Sequence, residues 1–163
     1  MENKRIYPLT IILPTYNEEE NMNIWLPEVI SQLSDVSYLD FEILVVDDNS
    51  PDLTAKKVEA LQNSFINRLF LLKRSGKQGL GTAYIEGFKW CLTRQYQFIF
   101  EMDADFSHNP KDLQRLYEAC KCQNADVAVG SRYIKGVNVV NWPLSRVLLS
   151  YGASLYVRII TGM

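Results

Sequence analysis

The sequence predicts an α/β fold with a mainly parallel sheet flanked by helices. Short apolar runs rich in β-branched and aromatic residues alternate along the chain with longer stretches of helical periodicity. One apolar run ends in Met102-Asp103-Ala104-Asp105, which places two carboxylates just beyond a buried strand. Open α/β sheets bind their ligands beyond the carboxyl ends of their strands, so these acids stand where a ligand is expected.

Five strands and five helices are predicted in alternation. The strands are Leu9–Leu13 (stopped by Pro14), Phe41–Val46, Leu69–Leu72, the run from Phe98 that ends before Asp103, and Asp126–Val129. The helices comprise one capped near Asn17 with apolar positions from Met22 to Leu33, one over 53–65, one along Leu80–Leu92, one starting at Asn109-Pro110, and one over 143–162. In the last helix the only charges are Arg146 and Arg158, a pattern compatible with core packing and with an interfacial membrane helix.

Composition narrows the function classes. The chain has 163 residues, of which 47% are apolar and 22% charged, as expected of one globular domain. Its net charge of −2 argues against nucleic-acid binding, which requires a basic face. No apolar run is long enough to span a bilayer, and from the polar, proline-broken first residues we expect no signal peptide. Its three cysteines do not form the pairs of a zinc site, so reduced thiols and a cytoplasmic location are expected.

Asp103 and Asp105 are the leading candidates for chemistry. Carboxylate oxygens at this position suit Mg²⁺ or Mn²⁺, ions that bridge to substrate phosphates. A solvated turn is the structural alternative. A calcium loop is a poor fit, because the sixth position from Asp103 is His108 rather than glycine. His108, the only histidine, is interpreted as part of the loop structure rather than as a general base.

A second acidic strand end and the first strand's loop suggest a nucleotide site. Asp47 and Asp48 follow the second strand, where carboxylates can accept hydrogen bonds from a ribose hydroxyl or a base, although a turn with a helix cap explains them equally well. Instead of a glycine-rich phosphate motif, the first strand is followed by Pro14-Thr15-Tyr16-Asn17-Glu18. Tyr16 could stack on a base, and Glu18 could accept a hydrogen bond from it. A surface aromatic and a first-turn acid are the alternatives.

Basic residues offer candidate phosphate contacts. Lys73-Arg74 and Lys77 lie in a turn with several glycines, which fits either phosphate binding or a solvated loop. Arg132 follows the predicted fifth strand, where a guanidinium can hold a phosphate through two N–H groups.

Five segments together resemble family 2 glycosyltransferases of the GT-A (Rossmann-like) fold, most closely the dolichol-phosphate and polyprenol-phosphate mannosyltransferases. They are Pro14-Thr15-Tyr16-Asn17-Glu18, Val46-Asp47-Asp48-Asn49-Ser50-Pro51-Asp52, Gly79-Leu80-Gly81, Met102-Asp103-Ala104-Asp105 and Gly130-Ser131-Arg132-Tyr133. The resemblance covers residues 8–163. Ser50-Pro51-Asp52 and Ser107-His108 favour the mannosyltransferase branch.

The resemblance implies an inverting, metal-dependent sugar transfer, with GDP-mannose as the favoured donor and a polyprenyl or dolichyl phosphate as acceptor. It implies that Asp103, Asp105 and Ser107 contact Mg²⁺ or Mn²⁺, and that Arg132 binds a phosphate. The resemblance implies that Asp103, Asp105 and Arg132 are the catalytic residues. The nucleotide contacts that it implies are Pro14, Tyr16, Glu18, Val46, Asp48 and Ala104, together with Asp103 and Arg132. A membrane surface becomes a further expected partner, with peripheral attachment on its cytoplasmic face.

Three alternatives stay open, and the sequence departs from the family pattern at two places: at Leu53, where the family usually has glycine after Ser-Pro-Asp, and at its C-terminal end. The alternatives are glucosyl transfer to a polyprenyl phosphate, a nucleotide-binding module without transfer activity, and a phosphatase of the haloacid dehalogenase type, which Asp103-x-Asp105-x-Ser107 resembles. Phosphatases of this type carry the motif on their first strand and a second acid pair downstream of it. Here the acid pair Asp47-Asp48 lies upstream of Asp103, which argues against this alternative. Family members normally continue beyond the position of Gly162-Met163. We therefore expect residues 1–163 to be a single glycosyltransferase domain truncated at its C-terminus.

Overall fold

A computed structural model describes residues 7–36, 39–105, 107–130 and 143–162. Within these ranges the elements are β1 (Tyr7–Thr15), α1 (Glu19–Ser34), β2 (Leu39–Asp47), α2 (Thr54–Gln62), β3 (Leu69–Lys73), α3 (Leu80–Leu92), β4 (Phe98–Glu101), α4 (Asp112–Gln123) and α5 (Leu144–Thr161). The chain divides into two compact units, Met1–Asp126 and Val127–Met163. In the part of the chain that the structure describes, every helix is too short or too polar to cross a bilayer.

The four strands form one parallel sheet in the order β3-β2-β1-β4. β1 pairs with β2 from Tyr7↔Leu39 to Thr15↔Asp47, and with β4 from Leu9↔Phe98 to Ile12↔Glu101. Parallel strands need long crossovers, which α1, α2 and α3 supply. The predicted mainly parallel α/β architecture is therefore confirmed.

Successive side chains of β1 point to opposite faces of the sheet, and apolar side chains lie on both faces. Helices therefore cover both faces. Leu9, Ile11 and Leu13 pack in one core with apolar residues of α1, α2 and α4, among them the fully buried Trp25. Ile12 faces the other way, into a second core beneath α3. Burial on both faces explains why the strands read as continuous apolar runs rather than alternating ones.

β1 is longer than predicted, because Pro14 lies inside it rather than ending it. Proline lacks an N–H and is tolerated only where no ladder hydrogen bond is required. Pro14 lies on the same side of the strand as Ile12, whose carbonyl accepts the Met102 N–H at 3.2 Å, and the ladder with β4 ends at Ile12↔Glu101. The missing donor thus faces a region beyond the end of β4.

The strand predicted at Asp126–Val129 is wrong, since this segment is irregular. A strand needs a hydrogen-bonded neighbour, and among the described residues none pairs with it. The side chains of Val127 and Val129 are exposed. The predicted C-terminal helix is confirmed as α5, which belongs to the second unit and has no buried residue.

Candidate active site

The loops after β1, β2 and β4 begin at the same edge of the sheet, because these strands are parallel and in register. The strand order reverses around β1: the chain goes from β1 to β2 on one side, while β4 pairs on the other. Such a switch point opens a crevice between the two loops that leave it. Here those loops carry Glu18 and the Asp103–Asp105 pair, so the structure places predicted site residues on both sides of the crevice.

The paired aspartates flank a residue anchored in the core. Ala104 is 3% exposed, whereas Asp103 is half-buried and Asp105 exposed. The Ser107 N–H donates a hydrogen bond to Asp105 Oδ1 at 2.9 Å. Burial raises the pKa of Asp105, but hydrogen bonds from Ser107 outweigh it, so this pKa lies below the usual value. Asp105 is therefore ionised at neutral pH.

Asp103 is held by residues from two other segments. The Tyr84 hydroxyl, on α3, donates to Asp103 Oδ1 at 3.2 Å. The Asp103 N–H donates to His108 Nδ1 at 3.0 Å, while His108 Nε2 lies 3.9 Å from Asp103 Oδ2. The His108 ring thus accepts a backbone hydrogen bond, which agrees with the predicted structural role in the loop.

The carboxylates of Asp103 and Asp105 suit a divalent ion that takes its remaining ligands from water and substrate. No group of three or more His, Cys, Asp or Glu side chains that could enclose a metal occurs among residues 7–36, 39–105, 107–130 and 143–162. Mg²⁺ and Mn²⁺ do not need such a cage, since they are bound by one or two carboxylates together with water and substrate phosphates. A zinc site would require more protein ligands.

Asp48 stabilises the loop that precedes α3 through hydrogen bonds. Its Oδ1 accepts hydrogen bonds from Arg74 Nη1 at 2.5 Å and from the Gln78 N–H at 2.9 Å, and its Oδ2 accepts the Gly79 N–H at 2.7 Å. Burial raises the pKa of Asp48, but the two backbone N–H groups and the Arg74 charge outweigh it, so the pKa lies below its usual value. Both oxygens therefore have protein partners, and the predicted contact of Asp48 with a nucleotide stays a prediction.

Arg74 is a buried structural residue rather than part of a flexible basic turn. Only 5% of it is exposed. Its guanidinium bonds Asp48, the Gly79 carbonyl at 3.3 Å, Gln78 Oε1 at 2.9 Å and Thr82 Oγ1 at 2.8 Å, and its Nε lies 3.3 Å from Glu86 Oε2. These contacts join the end of β2 to the first turns of α3. In the sequence the only signal was a basic residue directly after a strand.

The loop after β2 caps helix α1. The donors and acceptors are Asn17 N–H to Ser50 Oγ (3.1 Å), Glu18 N–H to Thr54 Oγ1 (2.9 Å) and Glu19 N–H to Asp52 Oδ2 (3.3 Å). Asp52 Oδ1 also accepts the Thr54 N–H at 3.0 Å, at the start of α2. N-terminal N–H groups of a helix have no partner within it, so these side chains stabilise α1 and fix the loop that contains Tyr16.

Tyr16 and Glu18 lie at the crevice in different environments. The Lys77 ammonium lies 3.6 Å from the centre of the half-buried Tyr16 ring. The Glu18 side chain accepts a hydrogen bond from Asn21 Nδ2 at 2.6 Å. Burial first, and then the Asp105 and Asp52 charges, raise the pKa of Glu18 despite that bond. Glu18, on the loop after β1, is therefore protonated more readily than an ordinary glutamate.

Two further predicted nucleotide contacts, Pro14 and Val46, lie at this edge of the sheet, whereas a third falls outside the part of the chain that the structure describes. Pro14 and Val46 are register partners at this edge, and both are buried, Val46 completely. Arg132 lies outside the described residues. Tyr84 lies in the helix predicted along Leu80–Leu92, but its role at the site was not predicted, because its bond to Asp103 joins positions 19 residues apart.

The sequence of the chain is similar to those of three named proteins. It is 43% identical over 153 residues to "Polyprenol monophosphomannose synthase" of Mycolicibacterium smegmatis, covering 94% of this chain and 56% of that protein. It is 44% identical over 154 residues to "Undecaprenyl-phosphate mannosyltransferase" of Micrococcus luteus, covering 93% and 59%. It is 40% identical over 152 residues to "Dolichol-phosphate mannosyltransferase" of Pyrococcus furiosus, covering 93% and 40%. The chain thus spans about half the length of these relatives.

Two solved structures share the fold. TarS 1-349 of S. aureus superposes with a TM-score of 0.61 at 25% identity, over 85% of this chain and 39% of TarS 1-349. The mannosyltransferase PcManGT of Pyrobaculum calidifontis, in complex with GDP-Man and Mn²⁺, superposes with a TM-score of 0.56 at 22% identity, over 69% and 32%. This likeness confirms the predicted GT-A fold.

The sequence profile of "Glycosyl transferase family 2" matches residues 10–160. This range contains β1 from Thr10 onward and both acidic strand ends, Asp47-Asp48 and the Asp103–Asp105 pair. The resemblance predicted from the five segments is confirmed, and this chain belongs to glycosyl transferase family 2.

Proposed function

We propose that this chain carries the donor site of a metal-dependent inverting mannosyltransferase, which moves mannose from GDP-mannose to a polyprenyl or dolichyl phosphate. The observation that carries the proposal is the pair Asp103 and Asp105 at the switch point of the sheet, opposite the loop of Tyr16 and Glu18. The names of the three relatives support the sugar and the lipid acceptor.

Asp103 and Asp105, with Ser107, would hold Mg²⁺ or Mn²⁺ against the donor diphosphate. When bound, such an ion neutralises the negative charge that develops on the departing diphosphate. The chain prepares this site by keeping Asp105 ionised through its hydrogen bonds with Ser107. Tyr16 and Glu18 would bind the nucleotide, and the buried residues Pro14, Val46, Asp48 and Ala104 would support its pocket from within the protein.

The acceptor phosphate would attack the anomeric carbon from the face opposite the diphosphate. A carbon–oxygen bond forms to the acceptor, while the bond to the diphosphate breaks and its electron pair leaves with the nucleotide. A phosphate oxygen is already ionised at neutral pH and needs no general base, in keeping with the structural hydrogen bond of His108. Arg132 would orient a phosphate through its guanidinium. Since the acceptor is a lipid, catalysis would take place at a membrane surface.

The decisive experiment follows the radiolabel from a sugar nucleotide into lipid. The full chain is incubated with Mn²⁺ and a polyprenyl phosphate, and GDP-mannose is compared with UDP-glucose. We expect label from GDP-mannose in the organic phase. Label from UDP-glucose alone would contradict the donor assignment, and binding of GDP without transfer would favour a nucleotide-binding module instead.

Aspartate variants test the metal assignment in the same assay. Asp103→Ala and Asp105→Ala each remove a carboxylate that would hold the ion, so we expect transfer to fall by roughly 100-fold or more. Asp112→Ala is the matched control, because it removes an acid of α4 that pairs with Arg115 away from the strand ends. Wild-type turnover in either Asp103→Ala or Asp105→Ala would refute the assignment.

A further inference from the structure

Tyr84 stands between the second core and the paired carboxylates. Its ring packs against the cluster that contains Ile12, Leu44 and Val46. Its hydroxyl extends beyond this cluster and donates to Asp103 Oδ1 at 3.2 Å. The ring is therefore held by apolar contacts while the polar end reaches the candidate metal site.

The Tyr84 hydroxyl is a donor at neutral pH, because an ordinary phenol loses its proton only near pH 10. A protonated phenol can donate to an ionised carboxylate, which only accepts. The direction of the bond is thus determined by the chemistry of both groups.

The helix that carries Tyr84 is itself fixed. Arg74 binds Gln78, Gly79 and Thr82 at the beginning of α3. Five residues after Thr82, Gly87 packs so closely on Ile12 that an added Cβ would lie 2.5 Å from Ile12 Cγ2. Tyr84 lies between these two anchor points, so its hydroxyl is presented from a rigid element.

The two aspartates differ in how they are supported. Asp105 is held locally, by the backbone of Ser107. Asp103 is held through Oδ1 by a side chain 19 positions earlier, while Oδ2 lies 3.9 Å from His108 Nε2, beyond hydrogen-bond range. The torsion that orients a carboxylate has a broad energy profile, so without the tyrosine the plane of Asp103 would rotate more freely.

We propose that Tyr84 is a positioning residue, whose hydroxyl orients the Asp103 carboxylate so that it binds the divalent ion together with Asp105. The inference rests on the proposed function, because it takes Asp103 as a metal ligand. Hydrogen-bond partners of metal-binding side chains fix the orientation of the ligand, and their loss typically weakens metal binding 10- to 100-fold.

The test compares two tyrosine-to-phenylalanine variants, each of which loses one hydrogen bond between a phenol and a carboxylate. Tyr84→Phe removes the hydroxyl and keeps the ring. Tyr96→Phe is the matched control, because Tyr96 packs against the same cluster and its hydroxyl donates to Glu42, a carboxylate outside the candidate site. Mn²⁺ is titrated into each full chain with GDP present, and free Mn²⁺ is measured by electron paramagnetic resonance. Affinity for GDP without metal and the melting temperature are measured on the same samples.

We expect Tyr84→Phe to weaken Mn²⁺ binding roughly 10-fold or more, with metal-free GDP affinity unchanged. Tyr96→Phe should keep the wild-type Mn²⁺ affinity, although it too loses a phenol–carboxylate bond and some thermal stability. Equal Mn²⁺ affinity in Tyr84→Phe and the wild type, or an equal loss in both variants, would overturn the inference and leave the proposed function standing. A wild-type chain that binds no Mn²⁺ would overturn both.

Discussion

Arg74 shows how far the behaviour of a residue depends on burial rather than on charge. It follows Lys73 directly, and both side chains form close ion pairs: Lys73 Nζ lies 2.7 Å from Glu59 Oε1, and Arg74 Nη1 lies 2.5 Å from Asp48 Oδ1. The Lys73 side chain is 56% exposed, whereas that of Arg74 is 1% exposed. Water screens the first pair and is excluded from the second, so the two pairs should contribute differently to stability.

Replacing each of these residues with methionine tests this difference. Arg74→Met leaves Asp48 buried without its cation, and we expect the free energy of unfolding to fall by about 3–5 kcal/mol. Lys73→Met breaks an exposed pair and should change stability little. Urea unfolding followed by circular dichroism measures both. Similar losses at the two positions would contradict the role assigned to Arg74.

Among the elements, α3 links the core to the candidate active site. Its first turn is held by Arg74, its middle carries Tyr84, and Gly87 lets it lie close to β1. An ideal Cβ on Gly87 would lie 2.5 Å from Ile12 Cγ2 and 3.2 Å from Ile12 Cδ1. Ile12 is fully buried and β-branched, so it has little freedom to move aside.

Two glycine-to-alanine changes within α3 separate packing from helix propensity. Gly87→Ala should lower the free energy of unfolding by about 1–3 kcal/mol, because the added methyl overpacks the core. At Gly81 an added Cβ meets nothing within 4 Å. Gly81→Ala should therefore raise stability by up to about 1 kcal/mol, the difference in helix propensity. Denaturant midpoints measure both changes, and a stabilised Gly87→Ala would show that α3 does not pack on β1 in this way.

At the scale of the whole molecule, the sequence predicted which edge of the sheet carries the acidic residues. It did not predict which side chains of the protein form hydrogen bonds with them. Apolar strands and their order of alternation are local patterns, and a parallel sheet places every carboxyl end on one edge. The side chains that bind the carboxylates of Asp48 and Asp103 are those of Arg74 and Tyr84, which lie 26 and 19 positions away. Such contacts depend on strand order and helix placement, which no local pattern encodes. The strand predicted at Asp126–Val129 failed for the same reason, since its valines are apolar but have no strand beside them among the described residues.

The change in stability at acidic pH depends on carboxylates in the loops that leave this edge of the sheet. The pKa values of Asp48, Asp52 and Asp105 lie below their usual values, because hydrogen bonds outweigh burial at each. For such a group the unfolded chain binds a proton more readily than the folded chain. Its contribution to stability is therefore complete above about pH 4 and is lost as pH falls through the lower, folded-state pKa. Glu18 acts in the opposite sense, since its raised pKa makes the folded chain bind the proton more tightly.

Asp52→Ala isolates one of these contributions. Asp52 accepts hydrogen bonds at the starts of both α1 and α2, so at pH 7 its loss should cost about 1 kcal/mol, as for other helix caps. As pH falls below the ordinary aspartate pKa of about 4, the unfolded wild-type chain takes up this proton more readily than the folded chain, so the difference in unfolding free energy between wild type and variant should shrink. Urea unfolding at a series of pH values measures this difference. A difference that stays constant from pH 7 to pH 3 would mean that Asp52 stabilises the two helices without its charge, and that other groups cause the acid sensitivity of this edge.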